Sequence, residues 1–461
     1  MMLRPFVSRL LLVLMAAIGL GMGGGLVQAE PLKIATFAID ASPPVGSPMA
    51  YDLTKGVQDP LTFKGVLLQS GQDKTLVLCA VDWIGISSAT QDAFKQAIAQ
   101  AVHTQPEMVV IHALHQHDAP RADATTLAVL EEFDLPNQSF IPELDAKVAV
   151  EAAAAAKKAT ESWQTVTHIG LGEGKIEKVA SNRRILGPDG KVKYVRYTAT
   201  KDPVIREQPT GTIDPICKLI SFWNEDRPLA VLTYYATHPQ SYYRTGLANP
   251  DFPGMARNAR QEETGTFHVH FNGAGGNIGA GKWNDGAKEN RQILADRVSE
   301  GMRKAWENIK KHPVQAKDVA WETVPVKLPA APHLNAETLT DVLKNPKSTP
   351  QEQLAAATNL AWLRRCQAED TIDIACLTLG PARVLHMPGE LFVEYQLAAQ
   401  QMRPDLFVAM AAYGDYAPGY IGTEVAYGEG GYETSPRASR VSPRVESVLL
   451  EAMEKLLKAP K

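Results

Sequence analysis

The 461-residue chain is short of three things. Cysteine is scarce, with four in all; aromatic residues reach only 7%; and 47 Lys and Arg stand against 51 Asp and Glu. Without a basic surplus the chain has little to hold a phosphate backbone, which argues against nucleic acid as a partner. Cys79, Cys217, Cys366 and Cys376 lack the spacing of a zinc ribbon. In an exported chain an even number allows disulfides, and Cys366 with Cys376 is the pair closest in sequence. Cys79 lies inside the apolar run Leu76–Val81 and reads as a small core residue. Beyond the N-terminus no segment approaches the ~18 apolar residues of a membrane span. What is present is ordinary: 45% hydrophobic residues, with 34 Gly and 31 Pro. That composition excludes collagen-like, coiled-coil and disordered chains, and suits a loop-rich enzyme better than a helical repeat.

Arg4 and Arg9 precede an apolar run from Leu10 to Val27, which ends Val27-Gln28-Ala29. This is the pattern of a signal peptide spanning 1–29 and cleaved before Glu30. Glycines between Gly19 and Gly25 disfavour the competing anchor helix. The expectation is a secreted or periplasmic protein of residues 30–461 with no transmembrane anchor after cleavage. Taking Arg4 and Arg9 from the 47 basic residues leaves 45 against 51 acidic, a net −6.

β-Branched runs predict strands at 32–39, 65–68, 75–81, 108–111, 166–171, 216–222, 229–235, 267–271, 372–377, 382–386 and 407–412. Apolar periodicity and capping residues predict helices at 88–102, 142–162, 290–309, 390–402 and 445–457. The irregular alternation points to an α/β fold, a single large domain with mixed β-sheets flanked by helices. Residues 329–371 shift in composition, with helical pieces broken at Asn345-Pro346 and Thr349-Pro350. They read as an insertion or a lid.

Three strand ends carry chemistry. Met108–Ile111 leads into His112-Ala113-Leu114-His115-Gln116-His117-Asp118-Ala119-Pro120. In extended backbone His115 and His117 share a face, whereas His112 points away and reads as structural. Leu229–Tyr235 runs into Ala236-Thr237-His238-Pro239, and Ala382–Leu385 into His386-Met387-Pro388-Gly389-Glu390. Two histidines and a carboxylate at strand-to-loop junctions are the inventory of a catalytic zinc site with an open position. Taken alone, His115 and His117 are equally two loop histidines, and Glu390 a carboxylate favoured at a helix N-terminus. His268 and His270 also share a strand face; they read as strand-face residues, with a second metal as the alternative.

These segments resemble the signatures of the neutral/alkaline (non-lysosomal) ceramidases. Leu114–Pro120 is similar to the family's Thr-His-Thr-His-Ser-Gly-Pro, Thr237-His238-Pro239 to its Cys-His-Pro, and Pro388-Gly389-Glu390-Leu391-Phe392 to its Pro-Gly-Glu-Pro-Phe. Tyr420–Glu433 keeps the tyrosine spacing of its Tyr-x-Thr-Thr-x-Glu-Glu-Tyr-x4-Tyr-Glu, and Asn182-Arg183 matches the start of its Asn-Arg-Ser. The motifs keep the family's order over most of the chain beyond residue 29. The resemblance implies Zn²⁺ held by His115, His238, Glu390 and Tyr420. It implies His117 and Tyr432 near a reacting carbonyl, Arg183 as an active-site arginine, and a small-molecule or lipid substrate such as ceramide or another N-acyl compound.

Three departures accompany it. Gly279 stands where the family has an active-site serine, Asp118 replaces a serine beside the metal loop, and the chain ends at Lys461 without length for the family's immunoglobulin-like domain. Asp118 can orient a histidine or end the turn. The reading is an exported zinc-dependent amidohydrolase; the alternative is an exported zinc- or carbohydrate-binding protein of the same fold without turnover.

Overall fold

Apolar runs of the chain pair into three large sheets, beside five two-stranded ones, in a computed structural model that describes residues 30–71 and 74–458. The expected signal peptide at 1–29 lies outside the described residues. The first sheet runs Val109–Ala113, Thr75–Val81, Thr62–Ser70, Leu32–Asp40 and Gln164–Val166. The second runs Phe267–Asn272, Arg227–Tyr235, Ile216–Asn224, His168–Lys175 and Lys310–Pro313. The third runs Val319–Val326, Ile372–Leu379, Ala382–His386 and Phe407–Ala411.

Each large sheet is antiparallel except for one parallel pair at an edge: Thr75–Val81 with Val109–Ala113, Arg227–Tyr235 with Phe267–Asn272, and Ala382–His386 with Phe407–Ala411. Parallel neighbours need a crossover, supplied by helices Ser88–Ala101, Asp251–Thr264 and Val393–Met402. The outermost strands of the three pairs then meet. Ala113 N donates to Tyr413 O and Ala412 N to Asn272 O, both at 2.9 Å, and Asn272 Nδ2 donates to Leu114 O at 2.5 Å. Leu78, Leu232 and Leu377, one from each large sheet, are fully buried in one core at this junction. Each such side chain contributes about 1.5–3 kcal/mol. The fold is thus the expected single-domain α/β arrangement of mixed sheets with flanking helices.

Several boundaries differ from expectation. The strand expected at 166–171 is two strands, Gln164–Val166 and His168–Lys175, which belong to different sheets. The helix expected from Glu390 starts at Val393, while Glu390–Leu391 pairs in parallel with Tyr420–Ile421. The helix-dipole reading of Glu390 therefore falls. Helices Ala124–Glu132 and Asp251–Thr264 were not expected. Asp123 caps the first, accepting from Thr126 N at 2.9 Å. In the second, Pro253 and Gly254 resemble a turn, yet the first turn of a helix tolerates proline because its N–H groups have no intrahelical partner.

Helices Ala336–Lys344 and Pro350–Gln367 link the antiparallel neighbours Val319–Val326 and Ile372–Leu379. Leu343 and Leu360 pack there against Val129 and Leu130. All four cysteines are free, so Cys366 and Cys376 form no bridge. Cys376 is buried in a strand, and Cys366 Sγ faces Leu328 O at 3.5 Å. Among the described residues no helix is long and apolar enough to cross a membrane.

Candidate metal centre

The three strand-end motifs converge. Leu114 N and His115 N donate to Val81 O and Trp83 O, and His115 takes a left-handed backbone, φ 71°, that turns its ring inward. His115 Nδ1 meets Ile84 O at 2.6 Å. A carbonyl can only accept, so Nδ1 carries the proton and Nε2 is left as a bare lone pair.

That lone pair faces Glu390 Oε2 at 3.3 Å, and His238 Nδ1 lies 3.8 Å from the same oxygen. All three residues are buried, and none of the three atoms has a hydrogen-bond partner among the described residues. Two lone pairs facing each other in a dry interior repel unless a cation lies between them. Tetrahedral ligands at zinc bond lengths sit roughly 3.3–3.5 Å apart. The donor set fits a zinc ion. His115, His117 and His238 also form a buried group whose ligand atoms all lie within 4.8 Å of one another, able to hold a metal ion.

The other expected residues surround this point. Tyr416 donates to Glu390 Oε1 at 2.5 Å. Burial alone would raise the Glu390 pKa; His115, Tyr416 and Tyr420 reverse this and hold the carboxyl below its usual range. His117 Nε2 faces His238 Nε2 at 3.1 Å, and Gln240 Nε2 donates to His117 Nδ1 at 3.0 Å. Burial, then His115, Arg183 and Arg121, push His117 well below the usual histidine value. Arg183 Nη1 donates to Tyr420 OH at 3.1 Å, while its Nε lies 3.1 Å from Glu433 Oε1. Tyr420 and Tyr432 meet edge to face at 5.7 Å, and the Arg183 guanidinium lies 5.9 Å from the Tyr432 ring. His115, His117, Arg183, His238, Glu390, Tyr420 and Tyr432 thus occupy one site.

The glycine run beside it is a spacer. A Cβ on Gly275 would come 2.6 Å from Thr237 O, and one on Gly276 2.2 Å from Glu390 O. Only bare backbone lets the His238 loop and the Glu390 strand approach this closely. Gly279 differs, since a Cβ there would make ordinary contact with Arg183 Cγ at 3.4 Å.

No family model matches the sequence, and no curated protein matches it. Solved structures do match. The neutral ceramidase from Pseudomonas aeruginosa aligns with a TM-score of 0.66 at 15% identity, covering 94% of this chain and 77% of that one. The chain has the neutral ceramidase fold. A ceramidase complexed with C2 gives a TM-score of 0.65 at 14% identity, over 93% of this chain and 75% of that one. Within this fold, each of the three motifs follows a strand of one parallel edge pair.

Other expectations are decided locally. Asp118 touches no histidine; it accepts from Arg244 N at 2.9 Å, Thr245 N at 3.3 Å and Thr245 Oγ1 at 2.7 Å. Its role is to end a turn. His112 lies off the site, bonded to Ala412 O at 2.7 Å and His386 at 2.9 Å. His268 and His270 are buried in their strand, pushed down to about 3 by burial. Neither belongs to a three-ligand group among the described residues.

Sequence reasoning missed Tyr413, Tyr416, Gln240, Glu433 and Tyr51. Tyr413 stacks on His115 at 4.6 Å and 22°, and Tyr51 on His117 at 5.4 Å and 11°. A signal existed for Gln240 and Glu433, which follow His238 and Tyr432 closely in sequence. Tyr51 had none, because it lies in a distant loop.

Proposed function

We propose that this chain is an exported zinc-dependent amidohydrolase in which residues 30–461 act as one catalytic unit. The convergence of three unpartnered buried atoms, His115 Nε2, His238 Nδ1 and Glu390 Oε2, carries the reading. In it His115, His238 and Glu390 hold the ion, and Tyr420 completes the set. Zinc held there supplies a Lewis acid and, from water, a nucleophile near neutral pH.

The chain's own groups do the rest. His117 lies beside His238 and outside the ligand set, so it serves as base toward the attacking water and as acid toward the leaving nitrogen. Burial and the neighbouring cationic groups keep it in the neutral form. Arg183, always charged, and the Tyr432 hydroxyl stabilise negative charge developing on the carbonyl oxygen. Water adds OH to the carbonyl carbon and H to the nitrogen as the C–N bond breaks, giving a carboxylic acid and an amine. The substrate class is an N-acyl compound, ceramide or another, and residues 329–371 form an insertion whose helices Ala336–Lys344 and Pro350–Gln367 pack with Val129 and Leu130.

A binding protein without turnover is the second reading, favoured by Gly279, which offers no hydroxyl beside Arg183. The two are separated by metal analysis combined with hydrolysis of fluorogenic N-acyl amides. The enzyme reading expects one zinc per chain and turnover that chelation abolishes. Stoichiometric zinc without turnover of any amide or ester would leave the binding reading.

A further inference from the structure

The turn that Asp118 holds carries an unused cation. Arg244 sits at φ 66°, a left-handed conformation that a long side chain rarely adopts and that the surroundings must impose. The buried Asp118 carboxylate imposes it through the amides of Arg244 and Thr245. The Arg244 guanidinium is thereby set over two rings, 5.3 Å from Tyr51 and 5.6 Å from Tyr243. Both rings lie against His117, at 5.4 and 5.3 Å. Arg244 is itself exposed to solvent, and among the described residues no carboxylate lies within ion-pair distance of it.

The neighbouring rim is apolar. Leu53, Val57 and Leu247 are 60%, 40% and 39% exposed, and the Gly56–Val57 and Leu247–Ala248 strands pair in parallel beside the turn. A second cation, Lys55, lies there with its side chain over Gly246 and likewise no ion pair among the described residues. A strained, anchored and unpaired arginine next to an apolar rim matches an amphiphile with a negative group.

We infer that the substrate is an N-acyl amine bearing an anionic group, a carboxylate or phosphate separated from the scissile amide, recognised by the Arg244 guanidinium held over the tilted Tyr51–Tyr243 pair. This rests on the amidohydrolase reading and narrows it, away from an uncharged N-acyl lipid. Arg244 is a specificity residue; it contacts the substrate's anion and not the reacting carbonyl.

The test compares two chain-matched amides, N-dodecanoyl-6-aminohexanoate and the neutral N-dodecanoyl-hexylamine, with the zinc-loaded full chain. The anionic amide is expected to show kcat/KM about tenfold above the neutral one. That ratio should shrink with added salt, fall to near one in R244Q and recover in part in R244K. Isothermal titration of the same pair into the chelator-treated chain reads recognition without turnover, with the same preference expected. Equal use and equal binding of the two amides, or a preference that survives R244Q, would overturn the inference while leaving the hydrolase intact. If neither amide is hydrolysed yet the anionic one binds preferentially through Arg244, the anion site stands and the amidohydrolase reading fails.

Discussion

Glu390 and Tyr420 are register partners in a two-rung parallel ladder. Residues in register on a parallel pair project to the same face, so the carboxylate and the phenol are delivered together. Tyr416 secures the second carboxylate oxygen, and Arg183 secures the phenol. E390Q and H238A should each leave a folded chain that loses zinc, with affinity reduced by at least about 100-fold. Y416F, which removes only the support, should cost about 10–100-fold. Equilibrium dialysis against buffered zinc followed by metal analysis checks both; full zinc retention in E390Q would refute the ligand assignment.

Asp118 bonds a turn and no histidine. D118A removes three hydrogen bonds to a buried carboxylate, and should destabilise the chain by about 2–4 kcal/mol in urea unfolding. Zinc content should stay near that of wild type. Lost zinc without lost stability would restore the alternative in which Asp118 orients a ligand.

Gly279 has room for a side chain. G279S should change unfolding free energy by no more than about 0.5 kcal/mol, since the added Cβ makes only ordinary contact with Arg183. If the hydroxyl matters in this pocket, G279S should raise turnover of ceramide relative to other N-acyl amides. The assay is a substrate panel on wild type and variant at equal zinc loading.

Lys64 offers a pH test away from the site. Its ammonium donates to Gln261 Oε1 at 2.6 Å and to His268 O at 3.2 Å. Burial, with Arg257 adding and Asp82 opposing, lowers its pKa from 10.5 to about 7. Between about pH 7 and 10.5 the unfolded chain holds a proton that the native chain has released. Stability from this group therefore rises with pH there, by up to about 1.4 kcal/mol per unit. Below about pH 7 both states are protonated and its contribution is flat. Urea unfolding from pH 7 to 9.5 should show a shallower slope for K64M than for wild type; parallel slopes would contradict the assignment.

Much of the centre was legible because chemistry and local geometry coincide. His115, His238 and Glu390 each stand a few residues beyond an apolar strand, and proline marks each turn at Pro120, Pro239 and Pro388. Arg183, Tyr420 and Tyr432 came from motif resemblance, since nothing in their local sequence points at a metal. Pro-Gly-Glu before an apolar periodic run imitates a helix start, so local sequence predicts Glu390 on a helix. Only its pairing with Tyr420 made it a strand residue.

By itself the sequence determined the α/β class, most strand cores and the three strand-end motifs, for these depend on hydrophobic period and turn chemistry within a few residues. The tertiary structure decided which strands pair in parallel, how three edges meet, and that Asp118 serves a turn rather than a ligand. It alone brought Tyr51, Tyr413 and Tyr416 to the site. Those outcomes depend on contacts between segments far apart in the chain, where no local pattern records the partner.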